Sequence, residues 1–387
     1  MHDPSHLDTA LIHAGESSPR HAGAVTMPVF QSATYEYGGE GTYDAVRYLR
    51  LNNTPNHDVL HRKLATLEGG EAALVTASGM AAITTTLMAT LSPGEHLLAQ
   101  RCLYGGTHDF VTQTLAHLGI ETTFVDANDP QAWAAARRET TKAVYVEALT
   151  NPLLEVADLR GVAEFASANG LTSIIDATFA TPILLRPLDL GFDIVLHSAT
   201  KYLNGHSDIV AGAVIGSADR IEKIRHLLNH FGGTLDPHAC FLLHRGLKTL
   251  GLRVRHQCQS ALTVAQFLDG HKAVKHVAYP GLAGHPDHAR ARELLAGFGG
   301  MLSFDVAGGA AVAERVTNAT KLFVNAPSLG GPESLITMPA QTSHLGMDPQ
   351  TRRALGIEDS LVRLSIGLEH PDDLIEDLSA ALAKATR

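Results

Sequence analysis

The chain has 387 residues, of which 45% are hydrophobic and 18% are charged, a composition typical of a globular protein with a large core. Its formal net charge of -10 argues against nucleic acid and anionic membranes as main partners, because both require a basic surface. Cys102, Cys240 and Cys258 show no CxxC spacing, which predicts reduced thiols in a cytoplasmic protein rather than a disulfide framework or a zinc site.

The first 55 residues lack a sustained hydrophobic period and contain clusters of Gly, Pro and Asn, such as GGEGTY and NNTPN. This texture predicts an extended arm that packs on a neighbouring chain. The opening sequence, MHDPSHLDTALIHAGE, is polar and lacks the apolar stretch of a signal peptide. Residues 72–94 carry no charge, but their many hydroxyl-bearing residues favour a buried turn and helix over a membrane span.

Between residues 56 and 248, helical and strand patterns alternate. The stretch HDVLHRKLATLEGGE predicts an amphipathic helix that ends at Gly69-Gly70. The short apolar runs that follow predict strands, and helical patterns such as DLRGVAEFASANG separate several of them; the runs are HLLAQ, ETTFVD, AVYVEAL, TSIIDAT, DIVLHSA and AGAVIGS. This alternation predicts an α/β fold with a mostly parallel, doubly wound sheet.

After residue 248 the pattern changes. A long helix, LKTLGLRVRHQCQSALTVAQFLDG, leads to the strand candidates MLSFDV, KLFVNA and LVRLSI, and HPDDLIEDLSAALAKA predicts a terminal helix. We therefore expect an N-terminal arm (1–55), a large domain (56–248) and a smaller C-terminal α/β domain (249–387). His285 and His288 of HPDH are interpreted as the start of a helix, so no metal site is predicted.

Several side chains that can hold a charged ligand fall where strands are expected to end at one edge of the sheet, the usual place for ligands. Ser78-Gly79-Met80 stands at a predicted helix start, where free N–H groups and the helix dipole favour an anion. Asp176 ends an apolar strand, where its carboxylate needs a cation; a helix cap is the alternative. The motif HSATK then adds Ser198, Thr200 and Lys201.

An anion site, a buried carboxylate and a lysine together suit one small molecule, pyridoxal phosphate. The helix start would take the phosphate, the carboxylate would keep the ring nitrogen protonated, and the lysine would form the Schiff base. The chain has neither a Walker pattern nor a GxGxxG motif, which argues against a nucleoside triphosphate or a dinucleotide. Each feature alone also fits ordinary turn or cap chemistry, so the interpretation depends on their combination.

The chain resembles the Cys/Met-metabolism family of pyridoxal-phosphate enzymes, which includes cystathionine γ-lyases, γ-synthases and β-lyases. The resemblance spans nearly the whole chain and is carried by ATLEGGEAALVTASGMAAI, LYGGTH, DATFATP, HSATKYLNGHSDIVAG, YPGL, SLGGPESL and LVRLSIGLE. It implies a fold-type I enzyme that binds pyridoxal 5'-phosphate covalently and acts on a small amino-acid substrate. It also implies a homo-oligomer, expected to be a tetramer built as a dimer of dimers.

The resemblance assigns roles to individual residues. Lys201 is expected to form the Schiff base, and Tyr104 to stack on the ring and move a proton. Arg363 is expected to bind the substrate α-carboxylate, because a guanidinium can make two parallel hydrogen bonds to it, with Ser328 and Glu333 completing the substrate site. The expected cofactor-binding residues are Tyr48, Arg50, Ser78, Gly79, Met80, Asn151, Asp176, Thr178, Ser198 and Thr200. Of these, Tyr48 and Arg50 would reach the phosphate of a neighbouring subunit.

A few positions depart from the family pattern. Leu49 stands where Ser or Thr is usual, the order Asn53-Thr54-Pro55 replaces NPT, Leu149 lies in EALTNP, and Ala177 replaces an Asn. These departures concern the substrate pocket and the inter-subunit loop rather than the cofactor chemistry.

Within the family, the sequence favours cystathionine γ-lyase-type elimination, which gives cysteine, 2-oxobutanoate and ammonia. Gly106 stands where methionine γ-lyases carry a cysteine, which argues against methionine. The only tryptophan, Trp133, falls in a surface-type helix away from the pocket motifs, which argues against a β-lyase. The main alternative is γ-replacement on an O-acylhomoserine by a cystathionine γ-synthase or sulfhydrylase. The intact Tyr104, Lys201 and Arg363 set disfavours a non-catalytic regulatory module.

Overall fold

Two β-sheets organise residues 6–385, the part of the chain that the computed structural model describes. The strands of the first sheet are β1 (Ala72–Thr76), β2 (His96–Gln100), β3 (Glu121–Val125), β4 (Thr141–Glu147), β5 (Thr172–Asp176), β6 (Ile194–His197) and β7 (Gly212–Gly216). They lie in the order β1-β7-β6-β5-β4-β2-β3. All neighbours from β6 to β3 run parallel, and β7 is antiparallel to both β6 and β1. The prediction of a mostly parallel sheet is therefore confirmed.

Helices cover both faces of this sheet. They are α1 (Leu7–His13), α2 (Pro55–Glu68), α3 (Gly79–Thr90), α4 (Gly105–Asp109), α5 (Leu115–His117), α6 (Pro130–Ala136), α7 (Leu159–Ala168), α8 (Thr181–Leu184), α9 (Ala218–Phe231) and α10 (Pro237–Leu247). Because side chains alternate along a strand, Val144 and Val146 face the core with α2, α7 and α10, whereas Tyr145 faces the core with α3 and α9. Near-continuous apolar strands are what a sheet buried on both faces requires.

The second sheet has five strands in the order β10-β11-β12-β9-β8. These strands are β8 (Val274–Ala278), β9 (Met301–Val306), β10 (Val324–Asn325), β11 (Leu335–Thr337) and β12 (Leu361–Ser365). The remaining helices are α11 (Leu250–Asp269), α12 (His288–Leu294), α13 (Ala310–Thr317), α14 (Pro349–Ala354) and α15 (Pro371–Ala385). Helices α11, α13 and α15 pack with this sheet around a second apolar core.

The N-terminal region differs from the expected extended arm. Residues 7–13 form α1. The Lys63 ammonium of α2 donates to the carbonyls of Leu11 (3.0 Å) and Ile12 (3.3 Å), which lie near the carboxyl end of α1. A cation at that position satisfies carbonyls that lack partners within a helix, which stabilises even a short one. Residues 15–54 contain only short 3₁₀ turns and an isolated bridge between Thr34 and Tyr48, and residues 1–5 lie outside the described part.

Trp133 was expected on a surface-type helix, and its burial corrects that expectation. Its indole is only 2% exposed and packs against the ring of Phe165 on α7, with ring centroids 6.1 Å apart. The residue lies on α6, outside the cavity described below. Across residues 6–385, no helix combines the length and apolar character needed to span a bilayer, and no group of three or more His, Cys, Asp or Glu side chains is placed to hold a metal ion.

Candidate active site

A cavity of about 590 Å³ lies beyond the carboxyl ends of β4, β5 and β6, with one wall formed by residues of the second sheet. Twelve of the sequence-predicted residues line it: Ser78, Gly79, Met80, Tyr104, Asn151, Asp176, Thr178, Ser198, Thr200, Lys201, Ser328 and Arg363. Glu333 lines an adjoining cavity that shares Thr200 and Ser328 with the first. Tyr48 and Arg50 line neither cavity.

One end of the cavity is the amino terminus of α3. The Ser78 hydroxyl caps this helix by accepting the Ala81 N–H at 3.0 Å, which leaves the N–H groups of Gly79 and Met80 without intrahelical partners. A Cβ atom at Gly79 would lie 2.7 Å from the Cβ of Ser198, so glycine is required for the helix start to approach the loop after β6. N–H groups without intrahelical partners beside the Ser198 hydroxyl suit a phosphate.

The loop after β6 is fixed by Thr200. Its hydroxyl donates to the Ala211 carbonyl at 3.1 Å and accepts the Ala211 N–H at 2.9 Å, and its own N–H donates to the same carbonyl at 3.0 Å. These bonds tie the loop to the residue before β7. Thr200 therefore holds the backbone that presents Lys201, in addition to lining the cavity.

Asp176 ends β5 and opens towards the cavity. Its Oδ1 accepts the Thr178 N–H at 2.9 Å, and the Thr178 hydroxyl accepts the Ser198 N–H at 2.8 Å, which links the ends of β5 and β6. Burial raises the pKa of Asp176, although hydrogen bonds from Thr178 act in the opposite direction. A carboxylate in such surroundings is stabilised by a cationic partner, and a protonated ring nitrogen would supply one.

Lys201 projects across the cavity to the loop between β10 and β11. Its Nζ donates to the Ser328 hydroxyl at 2.7 Å. Burial, and secondarily the charge of Arg363, lower the pKa of Lys201 to about 8. Ser328 has a φ of 98°, a left-handed conformation that is unusual for serine and is found at functional sites. The structure thus presents an amine that loses its proton easily, as a nucleophile must.

Arg363 lies on β12 and is only 4% exposed. Its Nη1 donates to Asn151 Oδ1 at 2.9 Å and its Nη2 donates to the Ser328 carbonyl at 3.0 Å. Its Nε is buried and has no partner among the described residues. Burial lowers the pKa of Arg363 to about 10, which still leaves it charged near neutral pH. A buried guanidinium with an unused donor is suited to a substrate carboxylate.

Tyr104 caps the start of α4, and its ring is available to the cavity because the residue is 40% exposed. Its N–H donates to Glu147 Oε1 at 2.6 Å. Glu147 was not among the residues predicted from the sequence, although AVYVE ends in a carboxylate just as TSIID does. The register confirms this parallel, because Glu147 is paired directly with Asp176.

The residues present fit pyridoxal phosphate. The cradle between Gly79 and Ser198 is suited to a phosphate, Asp176 to a pyridinium, and Lys201 to a carbonyl carbon. Arg363 is left for the carboxylate of an amino acid.

Comparisons with known proteins agree with this chemistry. A family model described as Cys/Met metabolism PLP-dependent enzyme matches residues 8–383. The chain is 44% identical to a cystathionine γ-lyase of Bacillus subtilis (strain 168), covering 97% of this chain and 98% of the relative. It is 43% identical to an L-methionine γ-lyase of Pseudomonas putida, covering 97% and 96%. Cystathionine β-lyases are also among the relatives.

A solved structure extends the similarity to three dimensions. The cystathionine γ-synthase of Xanthomonas oryzae pv. oryzae, in complex with aminoacrylate and cysteine, matches with a TM-score of 0.95 and 40% identity over 99% of each chain. The members of the family are carbon–sulfur lyases or γ-synthases. The chain therefore belongs to the Cys/Met-metabolism family of PLP-dependent enzymes, and pyridoxal 5'-phosphate is its cofactor.

Proposed function

We propose that the protein is a cystathionine γ-lyase-type enzyme that eliminates cysteine from cystathionine and forms 2-oxobutanoate and ammonia. The observation that carries the proposal is the bridge formed by Ser328. Its hydroxyl accepts from Lys201 Nζ at 2.7 Å, and its carbonyl accepts from Arg363 Nη2 at 3.0 Å. A substrate whose α-carboxylate binds Arg363 would therefore have its Cα beside the lysine amine.

Each residue has a defined task in this proposal. Bound pyridoxal phosphate supplies an electron sink that makes the Cα proton acidic. Lys201 would hold the cofactor covalently until the substrate amine displaces it. Its free amine would then take the proton from Cα, give that proton up, and take a second proton from Cβ. Tyr104 supplies a proton to the departing sulfur at Cγ. Asp176 keeps its negative charge beside the ring nitrogen throughout.

The adjoining cavity supports a substrate with a charged far end. Glu333 lines it, and its Oε2 accepts from the Ser207 hydroxyl at 3.5 Å. Because this cavity shares Ser328 with the main one, an extended amino acid can reach from Arg363 to Glu333. The distal end of cystathionine carries an ammonium group, which a glutamate attracts, beside a carboxylate, whereas the distal end of O-succinylhomoserine carries only a carboxylate, which a glutamate repels.

γ-Replacement on an O-acylhomoserine is the second candidate, favoured by the likeness to the γ-synthase structure. The deciding experiment incubates the holoenzyme with cystathionine, and separately with O-acetyl- or O-succinylhomoserine plus cysteine, and identifies the products. We expect 2-oxobutanoate and cysteine from cystathionine. Consumption of the acylhomoserine with cystathionine left intact would move the assignment to a synthase. The same assay tests methionine as a substrate, and it tests whether cystathionine gives the products of β-elimination.

Glu333→Gln is the matched variant for this assay. We expect it to lower kcat/KM for cystathionine about tenfold more than for O-acetylhomoserine, whose far end is uncharged, since even part of a Coulomb attraction at close range reaches that size. Equal losses on the two substrates would remove Glu333 from substrate selection.

We further propose that the active unit is a homo-oligomer in the cytoplasm, a tetramer built from two dimers. In each chain, residues 1–55 would form an arm, and residues 56–248 and 249–387 would form two domains. One apolar cluster lies wholly within residues 56–248 and another wholly within residues 249–387, which supports the domain division, and a third cluster joins the two parts. Tyr48 and Arg50 line neither of the two cavities described above, and the Arg50 Cζ lies 5.5 Å from the centroid of the Tyr48 ring. This position supports a role for the pair at a neighbouring subunit's phosphate.

A further inference from the structure

Two carboxylates meet at the wall of the cavity. Glu147 ends β4 and Asp176 ends β5, and the register pairs them directly. Directly paired residues of neighbouring parallel strands point to the same side of the sheet, and the strands are only about 4.8 Å apart. Glu147 is 5% exposed, so little water separates the two groups.

Among the described residues, no positively charged side chain faces Glu147 to offset the negative charge of Glu147 and Asp176. The titratable groups that face it are Asp176, Tyr145, Cys102 and Tyr104, none of which carries a positive charge. Two neighbouring carboxylates in a dry interior do not both ionise, and one of them keeps a proton.

The surroundings decide which carboxylate is neutral. Burial raises the pKa of Asp176 too, but hydrogen bonds from Thr178 and the charge of His197 act against that rise. Glu147 is supported only by backbone N–H groups, and burial together with Asp176 raises the pKa of Glu147 well above its usual range. The negative charge therefore belongs on Asp176, next to the place of the cofactor ring.

We propose that Glu147 is a neutral carboxylic acid in the working enzyme and that it is a positioning residue for both Asp176 and Tyr104. As a neutral group it leaves the negative charge to Asp176. Through Oε1 it holds the backbone of Tyr104 at 2.6 Å, while Gln100 fixes the backbone of Glu147 at 2.9 Å. The inference rests on the proposed roles of Asp176 and Tyr104, but not on which sulfur compound or ester is the substrate.

Two variants of the holoenzyme test the proposal. Glu147→Gln keeps the shape, the neutral state and an oxygen that accepts the Tyr104 N–H. It should leave the cofactor dissociation constant and the pH midpoint of the cofactor's visible absorbance close to those of the wild type. Removing a real negative charge from this site would instead shift that midpoint by about one pH unit or more, and such a shift would overturn the proposal.

Glu147→Ala removes the acceptor for Tyr104. We expect kcat to fall about tenfold or more, with a smaller change in KM and with cofactor still bound, because a buried N–H loses its partner. Recovery of kcat in Glu147→Gln distinguishes positioning from a general folding defect. Unchanged turnover in Glu147→Ala would refute the positioning role.

Infrared difference spectroscopy measures the proton itself. The spectrum of the holoenzyme minus that of Glu147→Gln at neutral pH should contain the C=O stretch of one protonated carboxyl group, and its absence would refute the neutral state. This readout and the absorbance titration do not depend on turnover. If the enzyme is inactive on both cystathionine and acylhomoserines, the proposed function is wrong. The infrared difference spectrum and the absorbance titration would still decide whether Glu147 is neutral.

Discussion

The amine of Lys201 combines burial with a nearby guanidinium, and both lower the pKa of its ammonium group from 10.5 to about 8. The neutral, nucleophilic form is therefore present at a much lower pH than in an exposed lysine. We expect the rate at which the apoenzyme captures pyridoxal phosphate to rise with pH up to about 8 and then to level off, as followed by stopped-flow absorbance. Arg363→Leu should move the inflection to higher pH, because one cause of the lowered pKa is removed. An inflection that stays in place would remove Arg363 from this role.

A second residue-scale prediction concerns the pair formed by Glu68 and His197. Glu68 Oε1 and His197 Nε2 are 2.6 Å apart, and both side chains are 1% exposed. Glu68→Ala would leave a buried imidazole N–H without a partner, at a cost of roughly 1–3 kcal/mol in the free energy of unfolding. Urea denaturation measures the loss. The exposed Glu293→Ala is the control, expected to change stability by less than about 0.5 kcal/mol, and equal effects of the two variants would contradict the prediction.

Part of the cavity could be predicted from the strand pattern, because Asp176, Ser198 and Lys201 lie at or just after apolar runs whose carboxyl ends converge at one edge of a parallel sheet. Other cavity residues, such as Tyr104 and Arg363, were expected only from the resemblance to the family. Glu147 was not predicted from the sequence, and the reason is physical. Its importance comes from its register beside Asp176 and from its contact with the backbone of Tyr104, and neither relation can be read from a single strand. The position of Ser328 between Lys201 and Arg363 is likewise a product of how the two sheets meet.

Among the structural elements, the start of α3 makes the strictest steric demand on the site. A Cβ at Gly79 would lie 2.7, 2.8 and 2.9 Å from Ser198 Cβ, Oγ and Cα, so the helix start or the loop after β6 would have to move. Overpacking of this kind costs about 1–3 kcal/mol, which corresponds to roughly five- to 150-fold in affinity if it opposes cofactor binding. We therefore expect Gly79→Ala to weaken cofactor binding by a factor in this range in an absorbance titration.

Gly284→Ala is the matched control for this prediction, because a Cβ there would meet no atom within 4 Å. It should bind the cofactor as the wild type does. Wild-type affinity in Gly79→Ala would show that the close approach to Ser198 does not shape the phosphate site.

Elements with strong periodicity were predictable and those defined by tertiary contacts were not. The run MLSFDV became β9 and LVRLSI became β12, whereas KLFVNA retained only the two residues of β10. Strand β8 was missed because half of it is exposed at the edge of its sheet. Helix α1 was missed because seven residues give too short a period, and its stability depends on Lys63, about fifty residues further along the chain.

At the scale of the whole molecule, the proposed role of the N-terminal region concerns a neighbouring subunit. Arg50 donates to the Asn229 carbonyl at 2.8 Å near the end of α9, and its guanidinium lies over the rings of Tyr43 and Tyr48. None of these contacts neutralises its charge, and none connects it to the cavity of its own chain. We expect an arginine and a tyrosine held in this way to be available to an anion on a second copy, and a closed symmetric oligomer would place the same pair at every site.

Arg50→Ala therefore tests whether the site is completed by a neighbouring subunit. A charge-assisted hydrogen bond to phosphate contributes roughly 1.5–3 kcal/mol, so the cofactor dissociation constant should rise by about tenfold or more. The control is Arg47→Ala in the same segment, whose salt bridge with Asp58 is partly exposed and 3.3 Å long. Sedimentation should show a dimer or tetramer in both variants, since neither change removes the bulk of an interface. A wild-type protein that sediments as a monomer with full activity would refute the contribution of Arg50 to another subunit. An unchanged cofactor dissociation constant in Arg50→Ala would show that Arg50 does not contribute to phosphate binding in any subunit.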